Sequence, residues 1–336
     1  MASTHAIVIP EPNRIELREV ELTEPGPDDL VVSTAYTSIS AGTERMLLAG
    51  RLPHPMLSFP IVPGYETVGR VVAAGANVPR EWLDRWVYVG GARCFVGVNP
   101  AWGGQSATLI ADHRRVVPLA GVPPEQGVLL ALAATALHGI DLLGLGSRET
   151  GDVGSSASPN PQPSTPSSRV LVLGQGPVGQ IAARLARGRG AWVAVTDREA
   201  SRLARSQADV LAQAGAAPLA EALGGPVQAI IEATGSMGAL AEALPLLADG
   251  GTVLLLGYYD ELRLPYMPLF LKQARLLTAR EWAPGDLQRC HDLIASGVLD
   301  VAGLITHTLP VEQVSEAYHT ALHDPACLKL VMEWQA

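Results

Sequence analysis

Three glycines set against an apolar strand are the first residues in this sequence whose types and spacing could do chemistry. Gly174, Gly176 and Gly179, with Gln175, Pro177 and Val178 between them, follow the apolar run Val170 to Leu173 and open a stretch in which Val178, Ile181, Ala182, Leu185 and Ala186 recur at helical spacing. A strand, a tight glycine turn and a helix N-terminus directing free N–H groups outward make a pyrophosphate site. A second apolar run, Trp192 to Thr196, ends in Asp197, at about the offset where an acidic side chain meets the adenosine ribose hydroxyls. Asp197 repels a 2′-phosphate, and the neighbouring Arg198 partly offsets that repulsion, so NAD is the expected cofactor and NADP is admissible. Ala233-Thr234-Gly235 and Gly257-Tyr258 follow later apolar runs, where an open α/β sheet presents its ligand crevice, and are expected to offer backbone contacts to ribose and nicotinamide. His138, after Ala134-Thr135-Ala136 on a helical stretch, can relay protons near neutral pH, and is a catalytic candidate beside the alternative of a satisfied core histidine.

The elements that must position these residues fall into two regimes. Before residue 122, short runs punctuated by Gly and Pro (6–9, 30–35, 67–73, 86–89, 106–111) predict a β-rich lobe. A helical stretch over 123–143 precedes a Ser/Pro/Gly-rich segment, 144–168, whose scarcity of apolar residues predicts a flexible insertion. From 169 on, apolar runs at 170–173, 192–196, 227–231, 252–256 and about 275–279 alternate with Ala/Leu-rich helices, which predicts a doubly wound parallel sheet, an α/β fold. The tail returns to the first lobe through helices near 286–296 and 311–323 and a strand at 328–333. The expected division is thus 1–122 with 281–336, and 123–280. A chain of 336 residues exceeds the size of a usual single core. The net charge of −9 argues against a nucleic-acid partner, which needs a basic face. No apolar run approaches the length of a membrane span, and no basic segment with an apolar run follows the start, so a cytoplasmic chain without stable membrane insertion is expected. Cys94, Cys290 and Cys327 lie far apart, which points to neither a disulfide framework nor a four-cysteine zinc lobe. His319 and His323 share a helical face without a third ligand nearby, the pattern of a solvated surface.

A β-rich lobe, a Rossmann lobe and a returning tail together resemble the medium-chain dehydrogenase/reductase superfamily, with its GroES-like catalytic domain. Where zinc members of that superfamily carry Cys-Gly-Thr-Asp and Gly-His-Glu, this sequence reads Ala41-Gly42-Thr43-Glu44 and Gly64-Tyr65-Glu66. The thiolate and imidazole ligands are absent, so no metal site is assigned and hydride transfer without zinc is expected. The segments ISAGTERMLLAGRLPH, FPIVPGYETVGRV, LALAATALHG, REWAPGDL, LITH and DPACLKLVMEW resemble, more closely, the 3-hydroxyethyl bacteriochlorophyllide a dehydrogenases. That resemblance implies oxidation of the 3-(1-hydroxyethyl) side chain of a chlorin or bacteriochlorin to acetyl by a nicotinamide cofactor, in bacteriochlorophyll biosynthesis.

It also implies where to look for catalytic groups. Thr43 stands where zinc relatives carry a proton-relay hydroxyl, and Tyr65 stands in place of a metal ligand, as donor, acceptor or cavity filler. Glu44 and Glu66 could accept a proton or serve structural pairs. Met46, Leu47, Leu48, Met56, Leu57 and Phe59 flank these motifs as a candidate apolar wall for a flat macrocycle, and Arg51 or Arg93 as a partner for its carboxylate. The superfamily resemblance further implies a homodimer formed at the sheet edge near 275–282. Two other readings stay open at this point: a zinc-free reductase of an enone, quinone or polyol, and a non-catalytic NAD(P)-binding sensor.

Overall fold

The computed structural model describes residues 2–52, 57–145 and 168–334. Met56 and nearly all of the Ser/Pro/Gly-rich segment lie outside them. The chain divides into two compact units, Met1–Ala131 with Leu287–Ala336, and Leu132–Asp286. Both junctions fall later in the chain than the expected ones at 123 and 281.

In the first unit, strand Asp29–Ser38 is the spine of a seven-stranded sheet. It pairs antiparallel with Thr67–Ala74 over its whole length, with Thr108–Asp112 over its first half and with Leu330–Glu333 over its last residues. Its inward residues alternate, as a sheet covered on one face requires, and Leu30 and Val32 are packed with Val71, Val87 and Leu109. Gly69 permits the tight approach of this pair, because a Cβ there would lie 2.3 Å from the Ser33 carbonyl oxygen. The tail inserts Leu330–Glu333 beside Tyr36 to Ser38, and His307–Pro310 follows it in parallel at the sheet edge. A helix, Ala41–Leu48, leaves the spine strand after Ser40 and buries Met46 and Leu47. The expected 123–143 helix divides into a 3₁₀ segment, Pro124–Leu129, and an α-helix, Leu130–Leu142.

The second unit is a six-stranded parallel sheet ordered Val210–Gln213, Trp192–Asp197, Arg169–Leu173, Val227–Glu232, Leu247–Leu255 and Arg275–Thr278. The chain starts in the middle, winds out to one edge, then returns to the other side of Arg169–Leu173. The strand order therefore reverses between Arg169–Leu173 and Val227–Glu232, and ligands of such sheets sit beyond the strand C-termini at that point. Five of the six strands coincide with the apolar runs of the sequence. The sixth, Val210–Gln213, escapes that reading because it is a short edge strand with Leu211 50% exposed. No helix among the described residues is long and apolar enough to cross a membrane.

Candidate active site

Three hydroxyl groups meet in the first unit. Tyr65 Oη lies 2.5 Å from Ser40 Oγ and 3.1 Å from Thr43 Oγ1. Ser40 and Thr43 arrive together because Ser40 caps the helix Ala41–Leu48 and Thr43 lies in its first turn. Tyr65 arrives by a sharp turn at Gly64, whose φ of +93° and close contact with Gln105 exclude a side chain: a Cβ would lie 2.4 Å from Gln105 Cγ. The Tyr65 backbone is fixed from below by Tyr88, whose hydroxyl donates to the Tyr65 carbonyl at 2.7 Å, and its ring meets Trp102 edge-on at 5.1 Å. Burial, then the nearby Glu66 charge, push the Tyr65 phenol above its ordinary value, so it is a neutral donor at physiological pH.

Both carboxylates of the two motifs are tied down. Glu66, 1% exposed, pairs with the Lys329 ammonium and accepts from Ser38 Oγ, while Lys329 also donates to the Ile39 carbonyl at 3.0 Å. Glu44, equally buried, accepts from the Tyr318 hydroxyl and reaches back to the Ser40 amide at 3.1 Å. Thr43 and Tyr65 are thus brought together, and Glu44 and Glu66 support them from behind. Of the nearby residues, sequence reasoning missed Ser40, Tyr318 and Lys329. Lys329 had a legible signal, a single cation inside the strand-forming run Leu328 to Met332, which marks a buried, paired charge.

Burial raises the Glu44 carboxyl from 4.5 to about 7, against the lowering effect of its hydrogen bonds from Tyr318 and Ser40. The folded chain therefore holds this proton at pH values where the unfolded chain has released it. Its contribution to stability is complete below about pH 4.5 and is lost as the pH rises toward 7. The shift corresponds to about 3 kcal/mol across that window. Glu44→Gln is expected to flatten this part of the stability profile, as measured by urea unfolding at pH 5 and pH 7; equal slopes in wild type and variant would refute it.

In the second unit the glycine turn has the shape a dinucleotide needs. Gly174 has φ +87°, a Cβ on Gly176 would meet no atom within 4 Å, and Gly176 caps the helix Pro177–Gly188. Pro177 at the first helical position gives up an N–H that has no helical partner, leaving Val178 and Gly179 as the donors of that first turn. Asp197 accepts from the Gln175 amide at 2.6 Å and the Glu199 amide at 2.9 Å, which fixes its carboxylate beside the turn with lone pairs left for ribose hydroxyls. These residues fit a nicotinamide dinucleotide. Gly179→Ala would place a Cβ 1.9 Å from the Gly174 carbonyl oxygen. The expected result is a loss of about 1–3 kcal/mol of stability, with weakened NADH binding, read by thermal melting and fluorescence titration; wild-type values for both would contradict it.

The described residues around Tyr65 do not fit a usual catalytic zinc site. Among the described residues, the side-chain groups bonded to Tyr65 and Glu66 are hydroxyls and the Lys329 ammonium, and no thiolate or imidazole is bonded to them. No group of three or more His, Cys, Asp and Glu side chains among the described residues is placed to hold a metal.

The remaining candidates have other surroundings. His138, on Leu130–Leu142 in the second unit, has Nδ1 3.7 Å from Asp286 Oδ2. The proposed apolar wall is largely core: Leu47 is buried with Ile9, Ile61 and Ala101, and Leu48, Leu57 and Phe59 pack on that cluster, while Met46 is buried as well. Arg51 and Arg93 are exposed, as are His319 and His323. Cys94, Cys290 and Cys327 are buried and are not joined in disulfides.

Comparison with known proteins follows the two-unit division. Residues 26–121 match the alcohol dehydrogenase GroES-like domain family, and residues 177–296 match the zinc-binding dehydrogenase family. The chain is 34% identical to the 2-desacetyl-2-hydroxyethyl bacteriochlorophyllide A dehydrogenase of Rhodobacter capsulatus, over 99% of this chain and 98% of that protein. Among solved structures, it resembles a dehydrogenase of Sinorhizobium meliloti 1021 bound to NADP (TM-score 0.79, 23% identity, 99% and 100% of the two chains). It also resembles a short chain alcohol dehydrogenase of Escherichia coli CFT073 complexed with NADH (TM-score 0.81, 21% identity, 99% and 100%).

Proposed function

The chain belongs to the medium-chain dehydrogenase/reductase superfamily, whose members of this branch are nicotinamide-dependent alcohol dehydrogenases, and from that premise we propose that it oxidises the 1-hydroxyethyl side chain of a bacteriochlorophyllide or chlorophyllide to acetyl, in bacteriochlorophyll biosynthesis. The observation carrying this substrate is the 34% identity with the Rhodobacter capsulatus dehydrogenase, over 99% of this chain and 98% of that protein.

When bound, a nicotinamide would supply the hydride acceptor. The chain's own hydroxyls handle the proton. Thr43 Oγ1 and Tyr65 Oη contact the substrate oxygen and stabilise the charge that develops on it, as preorganised donors do in a water-poor site. Because the Tyr65 phenol is held neutral, it acts as a relay and is no phenolate base: it takes up the substrate's proton as it passes its own to Ser40 Oγ, which releases its hydroxyl proton to water. Glu66, Lys329 and Glu44 hold the relay in place. We read the reaction as zinc-free, on the donor chemistry around Tyr65, and NAD as the preferred cofactor, on the carboxylate of Asp197. Arg198, beside it, leaves NADP as a weaker alternative. His138 is retained as a proton-handling group only on its residue type.

The same reading includes a cytoplasmic location, where the NAD pool lies, and a homodimer. Strand Arg275–Thr278 is a sheet edge, and Tyr266, Met267, Phe270 and Leu271, just before it, are each more than half exposed; a second copy would cover both features. Sedimentation of a stable monomer would remove the dimer.

The test is an absorbance assay on chelator-treated protein with NAD or NADP and a 3-(1-hydroxyethyl) bacteriochlorophyllide, following NADH formation and the macrocycle band together. Turnover without metal is expected. Activity restored only by zinc would overturn the zinc-free reading, and cofactor binding without turnover would overturn the substrate in favour of a reductase of other compounds or a sensor.

A further inference from the structure

One buried carboxylate in the second unit has a place in no step above. Glu232 ends strand Val227–Glu232 and is fully buried, at the switch point of the sheet. Its carboxylate accepts from the Thr234 amide at 2.7 Å, the Gly235 amide at 3.2 Å and the Thr234 hydroxyl. Its backbone carbonyl accepts from the Leu256 amide at 2.8 Å and the Gly257 amide at 3.0 Å. A single residue thereby fixes both turns that follow the strands bordering the crevice. Its surroundings show how little slack there is: a Cβ on Gly257 would lie 2.6 Å from Glu232 Oε2, 2.6 Å from the Tyr259 hydroxyl and 2.7 Å from the Gly235 nitrogen. The Tyr259 hydroxyl is itself buried without a hydrogen-bond partner.

A carboxylate buried at a strand end, without a cation among its hydrogen-bond partners, is an expensive way to close a turn, since a serine or asparagine can do so at lower desolvation cost. Burial raises its pKa, with the Thr234, Gly235 and Ser236 bonds opposing that rise. What a carboxylate adds over a neutral cap is acceptors alone, two oxygens that can hold two successive amides in one orientation. We propose that Glu232 is a positioning residue for the nicotinamide half of the cofactor, holding Ala233–Gly235 and Leu256–Tyr258 as one rigid lip while the glycine turn at 174–179 holds the pyrophosphate. This rests on the reading that these turns contact ribose and nicotinamide.

Glu232→Gln is the informative change, because its amide nitrogen would face a backbone N–H where an acceptor is needed, while size and packing are kept. Wild type, Glu232→Gln and Glu232→Asp are titrated with NADH and with ADP, which lacks the nicotinamide half, and each is melted. The expected result is NADH binding weakened by about tenfold in Glu232→Gln with ADP binding within about twofold of wild type, and partial recovery in Glu232→Asp, which keeps both acceptors. Equal loss for NADH and ADP, or no loss for NADH, would overturn the role, since a merely structural carboxylate cannot discriminate between the two ligands. If Glu232→Gln does not fold, Glu232→Asp carries the same comparison. A wild type that binds ADP but not NADH would overturn the cofactor reading itself, a result distinct from any of these.

Discussion

Lys329→Met is expected to lower the free energy of unfolding by about 3–5 kcal/mol, the range found when one partner of a buried ion pair is removed. The ammonium is 2% exposed and its partner Glu66 1%, so water cannot take over its role. The variant leaves Glu66 with only Ser38 Oγ, and it also strips the Ile39 carbonyl of its donor. Methionine fills nearly the same volume, so a cavity contributes little and the loss reports the orphaned charge. The double variant Lys329→Met with Glu66→Gln removes that charge and is expected to recover a substantial part of the loss. Urea unfolding of the three proteins at pH 7 measures this. A single variant as stable as wild type would mean that the ion pair contributes nothing to stability, and its role would have to be abandoned.

Tyr65→Phe is expected to reduce kcat by about 10²–10⁴-fold, the span of a removed proton-transfer group, with a small change in melting temperature. The ring remains against Trp102, and the Tyr65 carbonyl still accepts from Tyr88, so the fold keeps its contacts there. What disappears is the atom shared by Ser40 and Thr43. Thr43→Val, which leaves the Ser40–Tyr65 bond in place, should be less severe. Steady-state rates against the chlorin alcohol, with NADH affinity measured separately, decide the matter: a Tyr65→Phe enzyme within twofold of wild-type kcat would exclude the relay.

The hydroxyl cluster of the first unit and the glycine turn of the second differed in how far they could be read in advance. The glycine turn was legible in its geometry, because that geometry is local: Gly174, Gly176 and Gly179 follow a strand and open a helix within a few residues, and Asp197 ends the next strand. The hydroxyl cluster was legible only in part. Thr43 and Tyr65 could be named from motif position, yet nothing in the spacing of two residues 22 apart said that their hydroxyls meet. The apolar residues around them were candidates for a cleft wall or for ordinary core; Leu47 is buried in a core cluster and the half-buried Leu57 and Phe59 pack on it, a choice that composition alone does not make.

The sequence by itself determined the order of β-rich lobe and parallel sheet and the glycine turn, because periodicity, glycine placement and strand ends act over short stretches of chain, while the superfamily was legible as a resemblance of whole motifs. Tertiary structure alone decided which charges are paired. Lys329 reaches Glu66 across more than 260 residues of intervening chain only because Leu330–Glu333 inserts beside Tyr36 to Ser38, and Tyr318 reaches Glu44 across a sequence separation of 274. Such contacts depend on which strands become neighbours, and no local pattern carries that information. Glu232 shows the same division within a single residue: its carboxylate bonds lie two and three residues ahead, while its carbonyl joins a turn supplied by the neighbouring strand.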